Sequence, residues 1–316
     1  MLGDVDLPDS GGVLFCANHI NALLDPVIIQ AATPLQLRPL ARSGLFRFPM
    51  KIALNLIGAV PVYRPQDGRG KKGGNANMFR RCHELLGNNE HIIIFPEGQS
   101  HSDPHLHELK TGAARIALRS IELNGQCTVI PIGLTFTAKG QFRSSVLVHF
   151  GDPIDLMLPE DTHTKEAIKI INQRITKGLV SVTLNAESWE DIDLVTRLER
   201  FFSMRHGKYR KRSLSRSFSS LQRLIEGQKL LSAHEPKRVR ALISQLKGFE
   251  RLCRILGIQD YHLTIRSRPL LIVGYLLRIT AIICVALPVA LVGILNSYIP
   301  YKLTKLIAPK LSLIHI

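Results

Sequence analysis

Gly12-Val-Leu-Phe-Cys-Ala-Asn-His-Ile-Asn-Ala-Leu-Leu-Asp-Pro26 joins an apolar run to a polar loop and a helix-opening pair. Residues 13–17 are apolar without a break and follow the Gly11-Gly12 pair. Such a run, bounded by a glycine turn, reads as a buried strand. It stops at Asn18 and His19, and Asp25-Pro26 comes a short loop later. Aspartate is a favoured N-cap and proline a favoured first helical residue, so a helix is expected to open there. A histidine therefore stands at a strand's exit and a carboxylate at the start of the next helix. In an open α/β sheet that crevice is where ligands and catalysis collect.

Histidine titrates near neutrality, so it can take a proton from an alcohol and return one. A carboxylate bonded to its other ring nitrogen would fix the tautomer and stabilise the imidazolium. Taken alone, both residues also have ordinary readings: His19 as a loop residue and Asp25 as a helix cap.

Three further stretches follow in order: Gly58-Ala-Val-Pro-Val-Tyr-Arg64, Phe95-Pro-Glu-Gly-Gln-Ser100 and Val129-Ile-Pro-Ile-Gly133. With Asn18-His19 and Asp25 they resemble the four blocks of the glycerolipid acyltransferase family. That family comprises the glycerol-3-phosphate and lysophosphatidic acid acyltransferases of the bacterial PlsC type. The resemblance covers residues 10–155, about half the chain. Most of the family separates His and Asp by four residues; here five intervene, residues 20–24. The longer gap, with Asp-Pro after it, looks like the eukaryotic glycerol-3-phosphate or dihydroxyacetone-phosphate acyltransferase branch. Its loop must absorb the extra residue, and Asn21 is a candidate assistant.

The resemblance implies a central sheet flanked by helices. It also implies transfer of a fatty acyl group from acyl-CoA, as co-substrate, to glycerol-3-phosphate, with no further cofactor. Dihydroxyacetone phosphate and lysophosphatidic acid are the alternative acceptors. A non-catalytic membrane lipid-binding protein of the same fold is the alternative of another class. His19 and Asp25 would be catalytic. Arg64, Glu97, Gly98 and Ser100 would serve the acceptor, Lys110 would stand where the family places a lysine, and Pro131 would lie on the acyl-CoA side. Membrane lipids are expected partners and nucleic acid is not. The expected location is the endoplasmic reticulum membrane, with the site facing the cytosol.

The residues carry readings of their own. A strand delivers Arg64 to the sheet's carboxyl edge, and a planar guanidinium suits phosphate; a solvated strand-end arginine is the plain alternative. The Gly- and Lys-rich stretch after it lacks P-loop spacing and reads as a basic loop, residues 66–75. Gly98 permits a positive φ or close ligand approach. Glu97 can accept hydrogen bonds from a glycerol hydroxyl or order Arg64. Lys110 at a helix start can meet a phosphate or stay solvated. His101, Asp103, His105 and His107 are metal-ligand types, but their spacing matches no known site, so a polar loop and no metal are expected. Pro131 inside a strand-like run marks an edge or a bulge.

At 316 residues the chain can bury one sizeable core and carry a second region. A net charge of +16 favours anionic partners. Aromatics at 6%, with no zinc-finger, helix-turn-helix or RNP signature, argue against a base-stacking module. A phosphorylated substrate at a membrane fits better. The five cysteines are isolated and form no CxxC pair, a reduced, cytosol-facing pattern. Cys16, on a buried strand, is a poor nucleophile. The N-terminus does not read as a signal peptide.

In order, strands are expected at 13–17, 36–41, 59–63, 91–95, 127–134 and 144–150. Helices are expected at 27–32, 46–57 (apolar face Leu45, Phe48, Ile52, Leu56), 77–86, 110–123, 164–184 and 189–202, with one or two more in 232–257. Alternation at this spacing is α/β. The basic run 205–216 reads as a solvated face, with contact to anionic headgroups as an alternative. Residues 269–300 are the most apolar. Basic flanks leave a single span and a re-entrant hairpin equally open, beside a buried soluble helix. The expected division is an acyltransferase domain at 1–186, cut short at its N-terminus, and a helical region at 187–265. A membrane-associated segment follows at 266–310. The tail 311–316 is also the translation of a common transposon sequencing adaptor and is set aside.

Overall fold

The computed structural model describes residues 11–63, 74–141, 143–159, 161–205, 214–258 and 269–312. The chain divides into two compact units, Met1–Cys253 and Arg254–Ile316.

The first unit is built on a six-stranded sheet: β1 Val13–Ala17, β2 Leu37–Arg42, β3 Val60–Val62, β4 His91–Ile94, β5 Thr128–Phe136 and β6 Val146–Phe150, in the order β3-β2-β4-β1-β5-β6. All ladders are parallel except β5 with β6. β1 is central, between β4 and β5, and all five of its residues are buried. That burial explains its unbroken apolar run, because a parallel strand is covered on both faces. Side chains alternate across it. Leu14 and Cys16 join the core made with α3 (Gly74–Gly87), α4 (Gly112–Asn124) and α5 (Thr164–Val182). Val13, Phe15 and Ala17 join the opposite core, where Ile29 of α1 (Leu24–Ala31) packs.

Parallel strands release their loops at one edge. The segments after β1, β2 and β4 therefore share the sheet's carboxyl edge. Gly133 lets α5 close on β5: a methyl there would stand 1.7 Å from the Val182 carbonyl oxygen.

Three expectations are corrected. Asp25 is not a helix N-cap: α1 opens at Leu24, Leu23 precedes it, and the carboxylate turns back to the preceding loop. Pro131 marks neither an edge nor a bulge. It sits in β5, between β1 and β6, opposite Cys16. Its carbonyl accepts Gly151 N–H at 2.9 Å, just beyond the last residue that β6 pairs with β5. The missing proline N–H thus falls where that ladder has ended and costs no ladder bond. The expected helix 46–57 is only the short α2, Met50–Leu56, of which Leu54 alone is buried; a 3₁₀ turn, Ser43–Leu45, precedes it.

After the sheet come α6 (Trp189–Arg205), α7 (Leu214–His234) and α8 (Pro236–Ile255). Phe218 of α7 meets His149 of β6 edge-on at 4.9 Å. Arg197 of α6 pairs with Glu250 of α8 at 2.8 Å, beside an edge-on Phe201–Phe249 pair.

In the second unit, α9 (Pro269–Ser312) is one unbroken helix, which removes the re-entrant hairpin. Its segment Val273–Leu303, 31 residues of mean hydropathy 2.4 with none of the window buried, is long and apolar enough to cross a membrane.

Candidate functional site

The site begins where β1 ends. Asn18 is buried, and its side-chain amide grips β5 twice, donating to the Leu134 carbonyl at 3.2 Å and accepting Leu134 N–H at 2.7 Å. This fixes the strand's exit. His19 follows, its ring stacked on Phe95 with centroids 4.2 Å apart. The ring is 18% exposed, and its Nδ1–H donates to Asp25 Oδ2 at 2.9 Å.

The loop absorbs its extra residue in a tight turn, with Leu24 N–H to the Asn21 carbonyl at 3.0 Å and Ala22 at φ +45°. It wraps Asp25 so closely that Oδ2 also accepts Ile20 N–H at 2.8 Å and Asn21 N–H at 2.7 Å. Asp25 is fully buried. Its other oxygen, Oδ1, is buried without a partner among the described residues. Three donors on one oxygen fix the carboxylate's orientation and, through it, the imidazole's tautomer. Asn21 contributes its backbone N–H.

The turn after β4 clasps this loop from the other side. Glu97, 78 residues from His19, presents Oε1 to His19 N–H at 2.9 Å. His101 N–H donates to the His19 carbonyl at 3.1 Å, and Ser100 Oγ accepts Ala22 N–H at 3.1 Å. The His19 backbone is thus held at both its polar groups. Glu97 is itself buried; its Oε2 accepts His107 N–H at 2.9 Å and meets His101 Nε2. Gly98 takes φ +74°, and a methyl there would come 2.8 Å from Cδ and Nζ of Lys110, whose exposed side chain lies against it. The loop beyond is pinned by the segment after α5. Leu106 N–H meets Asn185 Oδ1 at 2.9 Å, and Trp189 Nε1–H meets the Ser102 carbonyl at 2.9 Å.

The structure therefore brings His19, Asp25, Glu97, Gly98, Ser100 and Lys110 to one edge. Pro131 is elsewhere: a methyl built on Gly151 or on Gly178 of α5 would fall 2.9 or 3.3 Å from its ring. Arg64 and most of the basic loop 66–75 lie outside the described residues. Asn18, Phe95, His101 and His107 carry structural duties that their sequence context did not assign. Only the polar Asn18 directly after a buried run was a signal.

Glu97, His101 and His107 offer donor atoms within 4.8 Å of one another, close enough to hold an ion. The rings of His101 and His107, however, stack in parallel at 3.6 Å and 4°. A metal lies in the plane of each imidazole that binds it, and two parallel planes share no such point. His107 Nε2 is engaged by Asp103 at 2.6 Å. In this arrangement the group is a hydrogen-bonded net. The contact with His107 holds the exposed Asp103 carboxyl below its ordinary value.

Three of the cysteines are chemically quiet. Burial pushes the Cys16 thiol far up, and those of Cys82 and Cys127 up to about 12. Thiolate is the nucleophilic form, so none of the three is activated.

A strand-exit imidazole backed by a buried carboxylate, with the Glu97 turn beside it on the same sheet edge, is suited to taking a proton from a hydroxyl and returning it. Residues 3–135 match the Acyltransferase family model. Among particular proteins, the chain is similar to glycerol-3-phosphate O-acyltransferase 1 of Saccharomyces cerevisiae, 33% identical over 40% of this chain and 18% of that one. It is similar also to glycerol-3-phosphate O-acyltransferase 2 of the same yeast, 28% identical over 42% and 19%. An uncharacterized acyltransferase of Schizosaccharomyces pombe is 27% identical over 54% and 26%. The chain thus spans about a fifth to a quarter of the curated relatives' length. The crystal structure of the 1-acyl-sn-glycerophosphate acyltransferase PlsC from Thermotoga maritima aligns over 55% of this chain and 68% of that one. At 19% identity and a TM-score of 0.39 that likeness carries no weight here.

Proposed function

We propose that the protein transfers a fatty acyl group from acyl-CoA to the hydroxyl of glycerol-3-phosphate. The single observation that carries the reading is the bond from His19 Nδ1 to a fully buried Asp25. That bond leaves Nε2, across the ring, to act as the base. Nε2 takes the proton of the acceptor hydroxyl as its oxygen attacks the thioester carbonyl. The C–S bond then breaks, and the CoA sulfur leaves with the proton returned by the imidazolium. The products are an ester and free CoA thiol. Asp25 stabilises the imidazolium formed midway. No acyl-enzyme is required, in keeping with the quiet cysteines. Glu97 and Ser100 hold the loop that carries the base, and Lys110 and Arg64 are the cations proposed to meet the acceptor's phosphate.

Glycerol-3-phosphate is preferred for the five-residue gap and the yeast relatives' names. Membrane attachment through α9 suits an enzyme whose product is a lipid.

The test is a CoA-thiol release assay on the membrane fraction, with glycerol-3-phosphate, dihydroxyacetone phosphate and lysophosphatidic acid offered separately. Release is expected with glycerol-3-phosphate. His19→Ala should abolish it while the protein stays folded. Arg64→Ala should mainly raise the acceptor KM. Full turnover by His19→Ala would remove the mechanism. A folded protein that binds acyl lipid and releases no thiol with any acceptor would be the non-catalytic alternative.

A further inference from the structure

The apolar face read in residues 46–57 is turned outward in the structure. Phe48 is 85% exposed, Ile52 65% and Leu56 82%. Ile52 and Leu56 stand one turn apart on α2 and share a face. Leu54, about 200° around the helix from both, faces inward and is buried. Ala53, between them, is exposed as well, as are Arg47 and Lys51 beside the apolar face.

We propose that this segment is a membrane-contacting surface, seated in the headgroup and acyl boundary of an anionic bilayer. The charge pattern selects that occupant. No acidic residue occurs between Asp25 and Asp67, while Arg38, Arg42, Arg47, Lys51 and Arg64 do. Arg38 is neutralised by Glu90 at 2.7 Å; Arg47 and Lys51 are exposed beside the apolar face. An apolar face flanked only by cations matches a lipid surface with anionic headgroups. A protein groove would also need partners for the helix's polar flank. An α9 held in a bilayer would keep this face near lipid at high local concentration. The position has a consequence. Phe48 follows β2 as His19 follows β1, so the apolar face and the proposed base leave the sheet at the same edge. Lipid contact there would put the boundary layer, where acyl chains reside, beside the loop that handles them. The surface itself does not depend on the catalytic reading.

The test uses intrinsic fluorescence, because the chain has one tryptophan, Trp189. In a Trp189→Phe background of the full chain, Ile52→Trp is reconstituted into phosphatidylcholine vesicles with and without phosphatidylglycerol, with brominated acyl chains. An apolar face buried about 5–10 Å deep lies within quencher reach, so about a two-fold loss of emission is expected. Val180→Trp, at an exposed position on α5, should keep its emission. Arg47→Glu with Lys51→Glu should abolish the gain in quenching that anionic lipid gives, each charge being worth about five-fold in surface affinity. Emission from Ile52→Trp that brominated lipid leaves unchanged overturns the proposal. A blue-shifted emission that brominated lipid does not quench, which would mean that polypeptide covers the face, also overturns it. Equal quenching at positions 52 and 180 does the same.

Discussion

Asp25→Asn separates the carboxylate's charge from its shape. Oδ2 accepts His19 Nδ1–H, Ile20 N–H and Asn21 N–H at 2.9, 2.8 and 2.7 Å. Oδ1 faces no donor among the described residues. An asparagine can keep its oxygen at the Oδ2 position and place its NH2 at the Oδ1 position, where no accepted bond is broken. The loop should hold, and the melting temperature should change little. The imidazolium, however, loses a charge-assisted bond of about 1.5–3 kcal/mol. At about 1.4 kcal/mol per decade this is roughly a 12- to 140-fold fall in kcat. Asp25→Ala is different: it strands buried N–H donors at about 1–3 kcal/mol each and should destabilise the fold as well. Thiol release by purified membrane fractions, read beside thermal melts, distinguishes the two. Because Asp25 acts through His19, the double variant with His19→Ala should be no slower than His19→Ala alone. Full kcat in Asp25→Asn, or additive losses in the double variant, would refute the reasoning.

Further outcomes follow from the same geometry. Glu97→Gln places an amide donor against His19 N–H or against the His101 and His107 side, so both a lower melting temperature, by about 1–3 kcal/mol of stability, and a lower kcat are expected. Gly133→Ala should cost about 3 kcal/mol, because its methyl meets the Val182 backbone; Gly98→Ala, at φ +74° against the flexible end of Lys110, should cost only about 1–2 kcal/mol. Thermal melts rank the two. Iodoacetamide treatment of the native protein should leave thiol release intact, since the thiols nearest the site are buried and protonated. Burial lowers His83, His91 and His149 below the ordinary 6.5, so the unfolded chain takes protons first as pH falls. Their stability contribution is full above about pH 6.5 and is lost on acidification through the folded values. His91 Nδ1 also accepts Val13 N–H at 3.3 Å, which protonation would break; His91→Gln should flatten the melting-temperature slope between about pH 7.5 and 5.5.

By itself the sequence determined what is local and repetitive. The apolar run of β1, the 3.6-residue stripes of α4 and α5, and the alternation of strands with helices are written in neighbouring residues, because each strand or helix exposes its periodicity to a known pair of environments. The four ordered blocks named the residues to watch. Only the tertiary structure decided how they meet. The five-residue gap closes because Asp25 gathers the loop's own N–H groups, and no propensity scale registers a carboxylate facing backward from a helix's first turn. Glu97 reaches His19 because β1 and β4 are parallel neighbours, a pairing between segments 78 residues apart. Pro131 is tolerated inside the sheet because β6 ends beside it. The stripe on α2 was legible as amphipathic, but periodicity gives a helix two faces and is silent on which one the protein covers. That is settled by what packs against it, and for Phe48, Ile52 and Leu56 the rest of the described chain leaves the apolar side outward.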